Sequence, residues 1–297
     1  MSKGLVDFIK GDATQFAKAN SDHAIIVADN GKALGAVARS AGLALGHELS
    51  CPVRVQMVLG SQAPKQEGEA QLDQLKAAIE SAAKPGCPAV AVGVSRMDEH
   101  FDDEEHGVSR ALIDVASDMD HALIVVGTHK GGKPLTGTVT ENLIRDSRAP
   151  ILITDGKSTV PYQSVVVGFD FSPYGKAALA QALRWVNQGT IHVVHAHHPS
   201  LGGFKSNDEQ HKDAETAKKK LEAVIAENRN ETSAQLVPMV AEGKPTAVLH
   251  NAIETHKADA VFLGTHGRTG VSRAILGSVA TKFVDAPPCD VIVIKPA

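Results

Sequence analysis

Two apolar runs, Leu123-Ile124-Val125-Val126 and Val261-Phe262-Leu263, lead straight into Gly127-Thr128-His129 and Gly264-Thr265-His266, and these two tripeptides stand 137 residues apart. Downstream, Gly137-Thr138-Val139 and Gly277-Ser278-Val279 are 140 apart, as are Ile151 and Val291 in the apolar runs that follow. Self-similarity over so long a period restricts the chain to two copies of one domain plan. The three-residue difference falls wholly inside the loop, so the first copy keeps the frame and shortens the loop. A length of 297 residues fits two domains of roughly 150 each. The polar, turn-prone stretch Asp155-Gly156-Lys157-Ser158-Thr159-Val160-Pro161 marks the boundary, giving 1–157 and 158–297.

Within each copy, apolar runs of strand length alternate with segments of helical periodicity. In the first, strands are expected near 23–28, 52–59, 88–94, 121–127 and 150–154, with helices over 32–49, 67–83, 107–117 and 139–145. In the second, the strands fall near 164–169, 190–196, 234–240, 259–264 and 290–294. Helices fall over 174–187, 208–229 and 246–256, with one more starting at Ser278. This alternation specifies the α/β class: two tandem Rossmann-like domains, each an open five-stranded mostly parallel sheet with helices on both faces. Residues 6–19 read as a short helix with no counterpart in the second half.

The spacing G-x2-G-x9-G-S is formed by Gly264, Gly267, Gly277 and Ser278. Glycines at the end of a strand let the backbone pass close to a ligand where a side chain would intrude. Ser278 is placed to cap the next helix. An anion against this turn would meet backbone N–H groups and the positive end of the helix dipole.

This loop, with the strand before it and Asp290-Val291-Ile292-Val293-Ile294 after it, resembles the nucleotide-binding signature of the universal stress proteins. Nearly the whole chain after residue 22 resembles a tandem member of that family. The resemblance implies ATP as ligand, with Mg²⁺ optional. It places Asp170 near the adenosine, the backbone of Ala196 against adenine, and Gly264, Gly267, Gly277, Ser278 and Val279 around ribose and phosphates. Arg268 adds a positive charge beside the loop, either on a phosphate or facing water. Asp170 also stands where an aspartate caps a helix. The resemblance further implies that the last strands, around Ile151 and Val291, pair across the two domains, and it is compatible with a homodimer.

The first copy departs from the pattern, because Lys130 replaces the second glycine and six residues separate it from Gly137. Both changes crowd the phosphate space, so weak or no ATP binding is expected there. The run from Gly127 to Pro134 imitates G-x4-G-K, but Pro134 stands where a Mg²⁺-holding Ser or Thr is needed. The functional expectation is an ATP-binding, stress-response regulatory protein. The alternatives are an adenine-nucleotide hydrolase or transferase of the related α-hydrolase-like group and a ligand-free structural stress factor. Adenylyl-transferring relatives carry a Ser-Gly-Gly type loop where this chain has Gly168-Phe169-Asp170-Phe171-Ser172. No general base or activated nucleophile stands beside the loop, which leaves at most slow hydrolysis.

A formal charge of −4 argues against general nucleic-acid binding. No stretch reaches membrane-spanning length and the N-terminus lacks the apolar core of a signal peptide, so a cytoplasmic protein is expected. Cys51, Cys87 and Cys289 fit free buried thiols. His195 and His197 share a strand face that His192 does not, which precludes one metal site from that strand. His100-Phe101-Asp102-Asp103-Glu104-Glu105-His106 offers cation-ligand chemistry, though an acidic run ahead of a helix is the ordinary dipole-compatible start. No metal site is assigned.

Overall fold

The computed structural model describes residues 5–10, 24–60, 63–82, 89–97, 103–117, 119, 121–128, 138–197, 207–267 and 276–296. Two compact units are present, Met1–Val160 and Pro161–Ala297. The first contains β1 (Leu5–Lys10), β2 (Ala24–Ala28), α1 (Ala33–Glu48), β3 (Val53–Leu59), α2 (Lys65–Ala82), β4 (Val90–Arg96), α3 (Glu104–Ser117), β5 (Ala122–Gly127), α4 (Val139–Asp146) and β6 (Ile151–Thr154). The second contains β7 (Ser164–Gly168), α5 (Pro173–Trp185), β8 (Thr190–His197), α6 (Asn207–Asn228), β9 (Gln235–Glu242), α7 (Pro245–His256), β10 (Ala260–Gly264), α8 (Ser278–Asp285) and β11 (Asp290–Ile294).

The parallel strands run in the order β4-β3-β2-β5-β6 in the first unit and β9-β8-β7-β10-β11 in the second. In both, the chain steps outward from its first parallel strand, then crosses back and continues on the other side. Right-handed crossovers then carry the helices of the two directions to opposite faces of the sheet. In the second unit α5 and α6 share one face, while α7 and α8 share the other, where His250 stacks on Phe283 at 4.4 Å. A sheet covered on both sides needs strands that are apolar at every position, and Val165, Val166 and Val167 are wholly buried. The reversal of strand order opens a crevice beyond the ends of β7 and β10, the usual place for a ligand in an open α/β sheet.

One expectation fails at the N-terminus. Residues 5–10 form a strand, not a helix, and β1 lies antiparallel on β4, from Leu5 opposite Val94 to Lys10 opposite Val90. The first sheet therefore has six strands, where five were expected. Leu5-Val6-Asp7-Phe8-Ile9-Lys10 is as compatible with period two as with a helix, and the edge of β4 supplies the unpaired backbone groups that decide the matter. The rest of the expected helix, 11–19, lies outside the described residues. Among the described residues no helix is long and apolar enough to cross a membrane.

The base of the second unit is pinned by a buried polar pair. Tyr162, 4% exposed, donates its hydroxyl to Asp290 Oδ2 at 2.8 Å, and Asp290 is 1% exposed. Burial first, and the neighbouring carboxyl second, push the phenol well above its ordinary range, so it stays a donor at every physiological pH. Tyr162→Phe removes the donor and leaves a buried carboxyl oxygen without it. A loss of about 1–3 kcal/mol in second-unit stability is expected from urea denaturation, and an unchanged midpoint would contradict this account.

Candidate functional site

At the top of β7 the chain reads Phe169-Asp170-Phe171-Ser172-Pro173. Ser172 is the N-cap of α5: its Oγ accepts from Gly175 N at 3.1 Å, and Pro173 follows where a missing N–H costs nothing. Asp170 Oδ1 in turn accepts from Ser172 N at 3.1 Å and from Ser172 Oγ at 2.5 Å. The capping role therefore belongs to Ser172, and Asp170 orients the cap. Oδ2 of Asp170 faces the loop after β10. A Cβ on Gly267 would sit 3.0 Å from it, so the loop backbone lies against the carboxylate and a side chain there would be tight unless the carboxylate gave way.

The start of that loop is equally tight. A Cβ on Gly264 would meet Tyr174 Cβ at 2.6 Å and Tyr174 backbone at 2.9 Å, so β10 touches the first turn of α5. Beyond it Thr265 N donates to Ile294 O, and Thr265 O accepts from Gly277 N at 2.7 Å. The first bond ties Thr265 to the end of β11 and the second to the start of α8. His266 stacks at a tilt on Tyr174, 5.1 Å between ring centroids, and its Nδ1 meets Thr265 Oγ1 at 3.0 Å.

The helix start differs from expectation. Gly277, not Ser278, is the N-cap of α8, and no side chain caps it; Ser278 is already helical. With no acidic residue in the first turn either, the N–H groups of Ser278 and Val279 lie at a helix start that no side chain caps. The matching helix of the first unit is finished from within. Thr138, in the repeat position of Ser278, is the N-cap of α4 and accepts from Glu141 N at 3.2 Å, with Glu141 itself in the first turn.

The carboxylates differ in the same sense. Asp29 of the first unit also accepts from the N–H two residues on, Gly31 N at 2.8 Å, but Arg39 of α1 forms an ion pair with its other oxygen and its side chain is wholly buried. Leu179 and Ala180 stand at the corresponding turn of α5, so the position of Arg39 has no cation in the second unit.

Ala196 lies near the end of β8, opposite Ala241 of β9. The ladder between β7 and β8 closes at Gly168 and Val194, with one further bond from Phe169 N to Val194 O at 2.9 Å. Alternation along a parallel strand turns the N–H and C=O of Ala196 to the same side as those of Val194, past the end of β7 and into the crevice. Its neighbour His195 is held by Phe169 O at its Nδ1, 2.8 Å away, and meets the edge of Phe171, whose φ of 64° is unusual for an aromatic residue.

Gly267 thus lies against Asp170, Gly264 against the first turn of α5, and Gly277, followed by Ser278 and Val279, against Thr265, while Ala196 stands near the end of β8. Arg268 lies outside the described residues, as do Lys130 and the run 129–134. The sequence reading passed over Ser172, Tyr174 and Arg39. A Ser-Pro pair ahead of a helical run is the signal that would have found the first. In the acidic run, 98–102 are not described. His106 is bonded at Nδ1 to Asp103 at 2.5 Å and faces Arg145 through Nε2 at 3.1 Å, which leaves neither ring nitrogen for a cation.

Residues 161–295 match the universal stress protein family. A segment of 57 residues is 46% identical to universal stress protein E of Escherichia coli K12, covering 19% of this chain and 18% of that protein, so the match spans under a fifth of that relative's length. A universal stress protein of Mycolicibacterium smegmatis is 24% identical over 77% of this chain and 79% of its own. Among solved structures, a universal stress protein from Archaeoglobus fulgidus has the same fold, with a TM-score of 0.62 at 20% identity, covering 92% of this chain and 96% of that one.

Proposed function

We propose that the chain is a cytoplasmic stress-response regulator built of two tandem universal stress protein units, and that it holds ATP in the second. The observation that carries the reading is the helix start at Gly277. There, a turn of α8 without a side-chain cap faces a loop whose backbone is pressed against Asp170. Such a start suits phosphate, because N–H groups and the helix dipole both favour an anion. Asp170, relieved of helix capping by Ser172, is free to accept from ribose hydroxyls, and Ala196 offers a donor and an acceptor to the edge of a base. Arg268 follows Gly267 directly in the sequence, and we assign its charge to the phosphates.

The first unit is read as closed to nucleotide on two grounds beyond its shorter loop. Arg39 takes the carboxylate, and Thr138 with Glu141 supplies from within what a phosphate would supply from outside. Heat release from the purified chain followed by chromatography, and calorimetric titration of ATP, test both statements together. One ATP per chain is the expected stoichiometry. Two per chain would refute the closure of the first unit, and none would refute the phosphate cradle.

A further inference from the structure

Away from that crevice, on the face of the second sheet covered by α7, two histidines lie ring on ring. His192, the third residue of β8, and His256, the last of α7, stack with centroids 3.9 Å apart and planes 20° from parallel. His192 is 7% exposed. His192 Nδ1 and His256 Nε2 are buried, and neither has a hydrogen-bond partner among the described residues. Ser164 Oγ donates to His256 O at 3.0 Å, so the ring stack and this bond add to the buried Ala252 and Ile253 in seating the C-terminal end of α7 on the sheet.

Two neutral imidazoles suit such a place, because stacked rings need no counter-charge. A further proton would have to sit on a buried nitrogen with no acceptor beside it, against another imidazole. The surroundings offer little relief. In register with His192, β7 presents Val166 and β9 presents Val237. On α7, Glu254 is exposed, and Lys257 just after the helix is exposed too. Asp259, in the turn that follows, has its Oδ2 held by the N–H groups of Gln163 and Ser164 at 2.7 and 3.0 Å. Burial first, and His256 second, bring His192 down from 6.5 to about 4.

We propose that the His192–His256 stack is a latch that helps hold the end of α7 on the sheet while the buried His192 ring is neutral, so that mild acid weakens the second unit at this contact. A group that binds protons less readily folded than unfolded contributes its stability fully above the unfolded value of 6.5, and that contribution is lost as the pH falls from 6.5 toward 4. The latch is placed to matter, since α7 leads through Lys257, in the left-handed region at φ 48°, directly into β10 and its loop.

The test uses the full chain and Trp185, its one tryptophan, which lies in the second unit and reports that unit's unfolding. The Trp185-detected urea midpoint is compared between pH 7.5 and pH 5 for wild type, His192→Phe and His256→Phe. The wild-type midpoint should fall over this interval, and the fall should be at least halved in His192→Phe, because phenylalanine keeps the stack and takes no proton. Proton resonances of the His192 ring in the folded wild type should show no titration above about pH 5. A ring titrating near 6.5, or phenylalanine variants that lose as much midpoint as wild type, would overturn the proposal. If either variant fails to fold, the resonance measurement on wild type decides it alone.

Discussion

Gly267→Lys is expected to weaken ATP binding at least about 100-fold, equivalent to about 2.7 kcal/mol, while the second unit stays folded. The Cβ alone would fall 3.0 Å from Asp170 Oδ2, and the four-carbon stem beyond it brings bulk to the edge of the loop. An added cation beside a phosphate cradle could be thought to help. Here it has a nearer partner, because Asp170 lies within contact of the position it leaves from, and the first unit shows the outcome of such a pairing in Arg39 and Asp29. The charge would be neutralised by Asp170, and the volume would remain. Gly267→Gln separates the two effects: a comparable loss in Gln and Lys assigns the effect to volume, whereas a loss confined to Lys assigns it to the captured carboxylate. Overpacking one loop costs typically about 1–3 kcal/mol of stability, which the second unit should survive. Wild-type affinity in Gly267→Lys would show that the nucleotide does not use this loop.

How much of this was legible beforehand depended on whether the signal was local. The alternation of apolar runs located every strand from β2 to β11, because most of these strands are buried on both faces and apolar nearly throughout, which sets them apart from a solvent-facing helix. The glycine spacing pointed to the crevice for a similar reason. Gly264 and Gly267 are small because Tyr174 and Asp170 stand against them, and a missing side chain is visible in the sequence even when its neighbours are not. What was illegible came from partners distant in sequence. β1 is a strand because β4 has an open edge more than 80 residues away, and nothing in Leu5–Lys10 itself says so. Asp29 and Asp170 look alike as residues, yet an arginine one helix later pairs with the first and the second unit has no cation at the matching position. The cap of α8 moved from Ser278 to Gly277, whose N–H is drawn to Thr265 O, and the helix starts a residue earlier than at the matching Thr138.

Phe262→Ala should be the most destabilising single substitution argued here. Phe262 is wholly buried at the centre of β10, with Val167 of β7 on one side, Ile292 of β11 on the other, and the edge of Trp185 5.8 Å from its ring. Removing a buried benzyl group loses its transfer free energy and leaves a cavity that the flanking strands, tied by their ladders, cannot close. A loss of about 3–5 kcal/mol is expected, a large part of the about 5–15 kcal/mol that a domain commands. Because Trp185 belongs to the second unit, its emission should follow that unit to a lower urea midpoint. The ellipticity contributed by the first unit should keep its own transition if the two fold independently. The variant also serves the functional reading. Phe262 touches no candidate ligand position, so ATP at about 100 times its dissociation constant should restore about 2.7 kcal/mol to the Trp185 transition by mass action alone. The same ATP concentration added to Gly267→Lys, now no more than about one dissociation constant, should restore at most about 0.4 kcal/mol. Stabilisation in both variants would place the nucleotide elsewhere in the chain, and stabilisation in neither would leave the crevice without a nucleotide.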